Sequence, residues 1–233
     1  MQCKTLCSVV ALGWLGIASV PTVSAAASAT QSESGAATSN QALAAQVDAS
    51  GPYQLVQSAA KVLLEALDAH RNEYRQDPAK LRALVDDVFL PHLDTELAAR
   101  QVLSRHWTTA TPDQRQRFIN AFIKSMLNNY GNALLDFTAD RLRVLPFRGN
   151  ASSPYVTIGT QVRKDDGSLV SVNYALHHTD QGWKVWDVVV EGVSYVKSFQ
   201  QDFGEQIDRQ GLDAVIQRLE RGEAPAAIRP TAR

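Results

Sequence analysis

The chain has 233 residues, of which 45% are hydrophobic and 20% charged; that is too apolar for a disordered protein and ordinary for a globular one. Its 23 Lys+Arg against 24 Asp+Glu leave a formal net charge of −1. Neutralising phosphates needs a clear basic excess, so nucleic acid is excluded as the main partner.

Met1 to Ala25 carries one charge, Lys4, then an uncharged apolar stretch from Leu6 to Val20, then Val23-Ser24-Ala25. This order predicts a secretory signal peptide over 1–25. Gly13, Gly16 and Pro21 interrupt the apolar run, which is also short for a membrane anchor. Cys7 stands too early, behind Lys4-Thr5-Leu6, to be a lipidation site. Cleavage after Ala25 removes Cys3 and Cys7, the two cysteines of the chain. The mature protein then has no disulfide, no thiol nucleophile and no Cys-ligated metal, and a soluble periplasmic or secreted protein is expected.

Residues 26–51 are almost entirely Ala, Ser, Thr, Gln, Gly and Asn and predict a flexible low-complexity leader. A single domain over 52–222 follows, then a flexible tail over 223–233 with Pro225 and Pro230.

Val56, Ala59, Ala60, Leu63 and Leu67 recur at the helical period, with His70 and Tyr74 continuing the stripe and His70 expected as a half-buried histidine. Asp77-Pro78 breaks this helix, and Leu81, Leu84, Val85 and Val88 mark a second. Leu90-Pro91 ends that one, and Asp94 caps a third running towards Leu103. Thr111-Pro112-Asp113-Gln114 reads as a capping box with proline at the first helical position. The helix it starts carries Phe118, Ile119, Phe122, Ile123, Met126, Leu127 and Tyr130, a face wider than a modest core needs.

Beyond Asp140 the period becomes two. Leu142, Val144 and Phe147, then Val156 to Val162, Val170 to Leu176 and Trp183 to Val190, predict four strands joined by turns at Asp165-Asp166-Gly167 and Thr179-Asp180-Gln181-Gly182. The last strand is apolar on both faces, which predicts cover on both sides. After Gly192 the helical period returns, with Tyr195, Phe199, Phe203 and Ile207, then Leu212, Val215, Ile216 and Leu219. The fold class is α+β: a curved antiparallel sheet of about four strands covered by N-terminal and C-terminal helices.

Chemistry-bearing motifs are sparse. Among the five histidines only His177 and His178 are close, and neighbours in a strand point to opposite faces, so no metal site is expected. There is no G-x-S-x-G elbow and no phosphate-binding glycine loop. Asp187 in the last strand is the odd residue. As a general base it would define a small cone-shaped isomerase-like enzyme; otherwise it pairs with an Arg or caps a nearby helix.

Val102-Leu103 with Trp107, Thr111-Pro112 to Phe118 and Phe122, Tyr130, and Gly182-Trp183-Lys184-Val185-Trp186-Asp187-Val188 running into Glu191-Gly192-Val193-Ser194 together resemble the MlaC family, periplasmic phospholipid-binding proteins also called toluene-tolerance proteins. The resemblance implies a carrier without catalytic residues that holds acyl tails in an apolar pocket between sheet and helices. It implies periplasmic shuttling of phospholipid between an outer-membrane lipoprotein complex and an inner-membrane ABC transporter complex. The implied ligand is phospholipid, with no other cofactor, and the protein is expected to be a monomer. A hopanoid-associated relative is an open alternative, as is a purely structural adaptor with a filled core. Candidate pocket residues are Trp107, Phe118, Phe122, Met126, Tyr130, Val172, Tyr174, Trp186, Val188 and Val190.

Overall fold

The structure, a computed structural model, describes residues 39–150, 152–164 and 166–224. The expected signal peptide and the end of the tail from Pro225 lie outside the described residues.

Helix α1 (Pro52–Gln76) starts on proline, where a missing N–H costs nothing. It buries Leu55, Val56, Leu63, Leu64 and Leu67 along one stripe. His70 leaves helical geometry, with φ −125° and ψ 21°. Its side chain is 57% exposed and faces Glu73, which corrects the half-buried expectation, whereas Tyr74 beyond the break is buried in the core. Helix α2 (Pro78–Val88) is capped by Asp77, and α3 (Thr95–Leu103) by Asp94, whose Oδ1 accepts from Leu97 N at 2.7 Å. A short α4 (Arg105–Thr109) follows Ser104. The capping box then forms as predicted at the start of α5 (Pro112–Tyr130), with Gln114 N–H donating to Thr111 Oγ1 at 3.2 Å and Thr111 N–H to Gln114 Oε1 at 3.0 Å.

Five antiparallel strands follow in sequence order: β1 (Leu142–Val144), β2 (Tyr155–Arg163), β3 (Leu169–Thr179), β4 (Gly182–Val190) and β5 (Val193–Ser194). The fifth strand is additional to the four expected. Glu191 (φ 49°) and Gly192 (φ 83°) both take positive φ and fold β5 back on β4 as a two-residue hairpin. Helices α6 (Tyr195–Gln210) and α7 (Leu212–Glu220) close the domain.

Within the expected leader, residues 39–44 are helical, and Leu43, Ala44 and Val47 pack against buried side chains of α1 and α2. At the other end of the domain, Ser125 Oγ donates to the Glu223 carbonyl at 2.8 Å.

Arg117 on α5 ties α7 down through Glu220, with Nε to Oε1 at 2.9 Å, and Glu223 holds Arg218 and Arg221. The guanidinium hydrogen bonds hold Glu220 and Glu223 below the ordinary glutamate value. A depressed carboxylate stabilises the fold above its unfolded pKa, about 4.3, and loses that contribution as pH falls through the depressed value. The thermal midpoint is therefore expected to drop on acidification below about pH 4.3, and Glu220→Gln is expected to flatten that part of the profile in a pH series of melts.

Candidate functional site

One face of the sheet is apolar and the other polar. The register sets Val172 between Thr160 and Val190, and Tyr174 between Ile158 and Val188. Residues two apart share a face, so Val170, Val172, Tyr174 and Leu176 lie together. Their opposite-facing neighbours, Ser171, Asn173 and His177, look outward beside Thr157 and Gln161 of β2.

Strand β4 would break this pattern without an irregularity. Ala175 pairs with Asp187, but Leu176 pairs with Val185, so Trp186 is an extra residue in a bulge. Past the bulge the phase shifts by one, and Val185 and Trp183 join the face already holding Val188 and Val190. Trp183 is buried with Leu55, Val56, Val156, Ile158 and Leu176. The bulge changes which residues share a face: Trp183 and Val185 join Val188 and Val190, not Val189 as expected, while Val189 and the buried Asp187 lie on the opposite face.

That face is unevenly covered. Val156, Ile158, Thr160 and Val162 of β2 are buried, with α1 packed over the strand; α3 and α6 lie beside β4, and the hydrogen bonds at their starts run to His177 and Asp187 of the opposite face. Among the described residues no helix lies as closely along β3. Val170, Val172 and Tyr174 on β3, and Val188 and Val190 on β4, accordingly stay half-buried. Long α5 stands off the sheet. Its Phe118 and Phe122 join one cluster with α3, α6 and α7, and its Leu127 joins another with α1 and α2. The result is an apolar strip over the middle of the sheet, with α1 along its β2 flank.

One polar side chain interrupts the strip. Burial pushes the Tyr174 phenol up from its ordinary pKa, and a hydrogen bond with Thr160 opposes the shift; the Thr160 hydroxyl also donates to the Val172 carbonyl at 3.0 Å. Trp186 is half-buried against the helical cluster, and its Nε1–H is shielded with no acceptor.

The candidate residues therefore divide. Val172, Tyr174, Val188 and Val190 lie together on the strip, and Trp186 packs on the helical cluster. Met126 is half-buried against the helical cluster. Trp107, Phe118 and Phe122 are placed instead in the packed core. Phe118 is 0% exposed and lies 5.5 Å edge-on from Phe203, and Phe122 lies 5.1 Å edge-on from Phe199. Arg115 covers the Trp107 ring at 4.9 Å. These rings fill the space among α3, α5, α6 and α7, which is why they do not line a hollow. The side chain of Tyr130, at the end of α5, lies outside what the structure describes. Sequence reading missed Val170 and Val185 as members of the strip; the alternation of β3 pointed to the first, while the bulge hid the second.

Asp187 caps a helix. Its Oδ2 accepts from Ser194 Oγ at 2.6 Å and its Oδ1 from Val196 N–H at 3.0 Å, at the start of α6. With both oxygens engaged and 7% exposure, the carboxylate is a poor proton acceptor for a substrate. Asp187→Ala is expected to cost about 1–3 kcal/mol, as a lost cap with buried donors left unpaired, read as a lower urea midpoint. His177 is likewise structural, with Nε2 2.6 Å from Asp94 Oδ2 and the ring stacked on Tyr155. Among the described residues no three His, Cys, Asp or Glu side chains come together as a metal would need, and no helix is long and apolar enough to cross a membrane.

Two surface grooves meet at Pro146 and Phe147. One, of about 540 Å³, is lined by Pro52, Tyr53 and Trp183 among others; the second, of about 500 Å³, runs past Arg148, Asn150 and Tyr155. The first lies at the opposite end of the sheet from Val172 and Val190, and the second reaches Gly159, next to the Thr160 that pairs with Val172; both are open to water. An open groove leaves much of a hydrocarbon chain wet.

Fold and strip together define a small α+β binding domain whose inner apolar surface is left uncovered along one strand. The family described as "MlaC protein" matches residues 57–221. The chain belongs to the MlaC family. It is 29% identical over 168 residues to the toluene tolerance protein ttg2D of Pseudomonas putida, covering 72% of this chain and 78% of that one. It is 24% identical over 180 residues to the intermembrane phospholipid transport system binding protein MlaC of Haemophilus influenzae, covering 76% and 84%. A phospholipid-binding protein of Ralstonia solanacearum, solved in complex with a phospholipid, shares the fold with a TM-score of 0.66 at 24% identity, over 72% of this chain and 93% of that one.

Proposed function

We propose that this protein is a periplasmic carrier that binds phospholipid by its acyl chains on the strip over β3 and β4 and passes it between outer-membrane and inner-membrane complexes. The observation that carries this reading is the half-buried, apolar face of Val170, Val172, Tyr174, Val188 and Val190 in the middle of the sheet, apolar surface that acyl chains would cover. Each acyl methylene taken out of water contributes about 0.8 kcal/mol. A diacyl lipid thus leaves a bilayer unaided only very slowly, and a carrier must offer apolar surface of comparable extent. The relatives add support: the H. influenzae protein is named for intermembrane phospholipid transport, and the R. solanacearum protein was solved with phospholipid bound. A net charge near zero suits a protein that must touch two membrane assemblies and leave both.

The test is extraction and mass spectrometry of the protein purified from a Gram-negative periplasm. Phospholipid near one molecule per chain is expected. Protein that elutes without lipid and takes none from phospholipid vesicles would refute the reading.

A further inference from the structure

Strand β2 lies second from one edge of the sheet, and its outer neighbour covers only part of it. Strand β1 pairs with β2 from Val162 back to Thr160, and Leu145 N–H then donates to the Gly159 carbonyl at 2.9 Å. Pro146 stops the ladder there, having a fixed φ and no N–H to give. The first half of β2, from Tyr155 to Ile158, is therefore an edge.

The ladder on the other side decides which of its backbone groups face outward. Groups of successive strand residues point to alternate sides. His178 N–H donates to the Pro154 carbonyl at 2.9 Å, and the β2–β3 register runs without a shift from Tyr155 to Arg163. Even-numbered residues thus face β3, while Tyr155, Thr157 and Gly159 face away from it, in agreement with the Leu145 bond. Ser153 Oγ occupies Tyr155, donating to its carbonyl at 2.7 Å and accepting from its N–H at 3.3 Å. Thr157 is exposed, and among the described residues nothing bonds to its outward N–H and carbonyl.

Beside this edge runs the groove of about 500 Å³, lined by Thr157 and Gly159 on one side and by Pro146 to Asn150 on the other. It takes the place that β1 would fill if it continued past Leu145. Among the described lining residues Arg148 alone is charged. Residues 141–164, which build β1, the loop and β2, carry Arg141, Arg143, Arg148, Arg163 and Lys164 and no acid; Asp140 offsets Arg163. Such a surplus of one sign opposes pairing of this edge with a second copy of itself and favours an acidic partner. The chain's own ends do not supply one: residues 26–38 hold one acid, Glu33, and residues 225–233 hold none.

We propose that β2 is a docking edge, to which an extended acidic segment of a partner protein adds as a strand. The segment bonds the Thr157 N–H and carbonyl and sets a carboxylate against Arg148. Main-chain bonds supply affinity in this mode and the charge selects the partner. The edge is separate from the acyl-binding strip, so it stands or falls independently of the carrier reading.

The test titrates the purified protein into fluorescein-labelled peptides EVTVTVE and KVTVTVK and reads anisotropy. The acidic peptide is expected to bind about tenfold more tightly at low salt, with the gap shrinking at high salt. Arg148→Glu is expected to remove most of the gap. Thr157→Pro, a substitution suited to an edge N–H that faces water, is expected to weaken EVTVTVE about fivefold or more. In the wild type, hydrogen exchange of the Thr157 amide is expected to slow about tenfold with bound EVTVTVE, while Val156 and Ile158, already bonded to β3, stay unchanged. That reading stands even if Thr157→Pro fails to fold. No binding of EVTVTVE, equal binding of both peptides, undiminished binding by folded Thr157→Pro, or Thr157 exchange indifferent to the peptide would overturn the proposal.

Discussion

Replacing Val172 with glutamate is expected to empty the protein of phospholipid while leaving it folded. Val172 sits at the centre of the strip, paired with Thr160 on one side and Val190 on the other. It is only half-buried, so in the cargo-free protein the new carboxylate reaches water at modest cost, about 1–2 kcal/mol. With acyl chains laid over it, the same carboxylate must be dehydrated without a partner, or neutralised by proton uptake; either costs several kcal/mol. Affinity should then fall by about 100-fold or more. Lipid mass spectrometry alongside a thermal melt separates the two effects. A Val172→Glu protein that melts within a few degrees of the wild type and retains its lipid would show that the chains lie elsewhere.

Phe118→Ala is expected to do the reverse, lowering stability first and binding only as a consequence. Phe118 is fully buried, stacked 5.6 Å from Phe122 and edge-on to Phe203. Truncating a ring in such a cluster costs about 3–5 kcal/mol, a large share of the 5–15 kcal/mol typical of a domain. For a domain of this size that corresponds to a thermal midpoint lower by roughly 10 °C. The surviving folded fraction at low temperature should still carry lipid. Loss of lipid with an unchanged midpoint would place Phe118 on the pocket wall and contradict its position in the core.

The contrast between these residues marks the limit of what was legible in the sequence. The capping box at Thr111 and Gln114, the hairpin turn at Thr179 to Gly182 and the alternation of β2 were all readable, because each is a local pattern with a local cause. Phe118 and Val172 are equally apolar, and only the helices packed around each decide which becomes core and which stays uncovered. The bulge at Trp186 leaves no mark in the pattern, since one extra residue reverses the alternation that would be used to detect it. Strand β5 is two residues long, too short for periodicity; its signal is Glu191-Gly192, a pair suited to positive φ. Asp187 stood out as an acid among apolar residues, but the donors that explain it, Ser194 and Val196, come from the helix start that follows.

The most direct test of where the cargo lies is photo-crosslinking with a phospholipid bearing a diazirine along one acyl chain, followed by peptide mapping. Adducts are predicted on β3 between Leu169 and Leu176 and on β4 between Val185 and Val190. Adducts confined to the Pro146–Phe147 grooves, or absent from both strands while lipid is bound, would contradict an acyl-binding strip beneath the sheet.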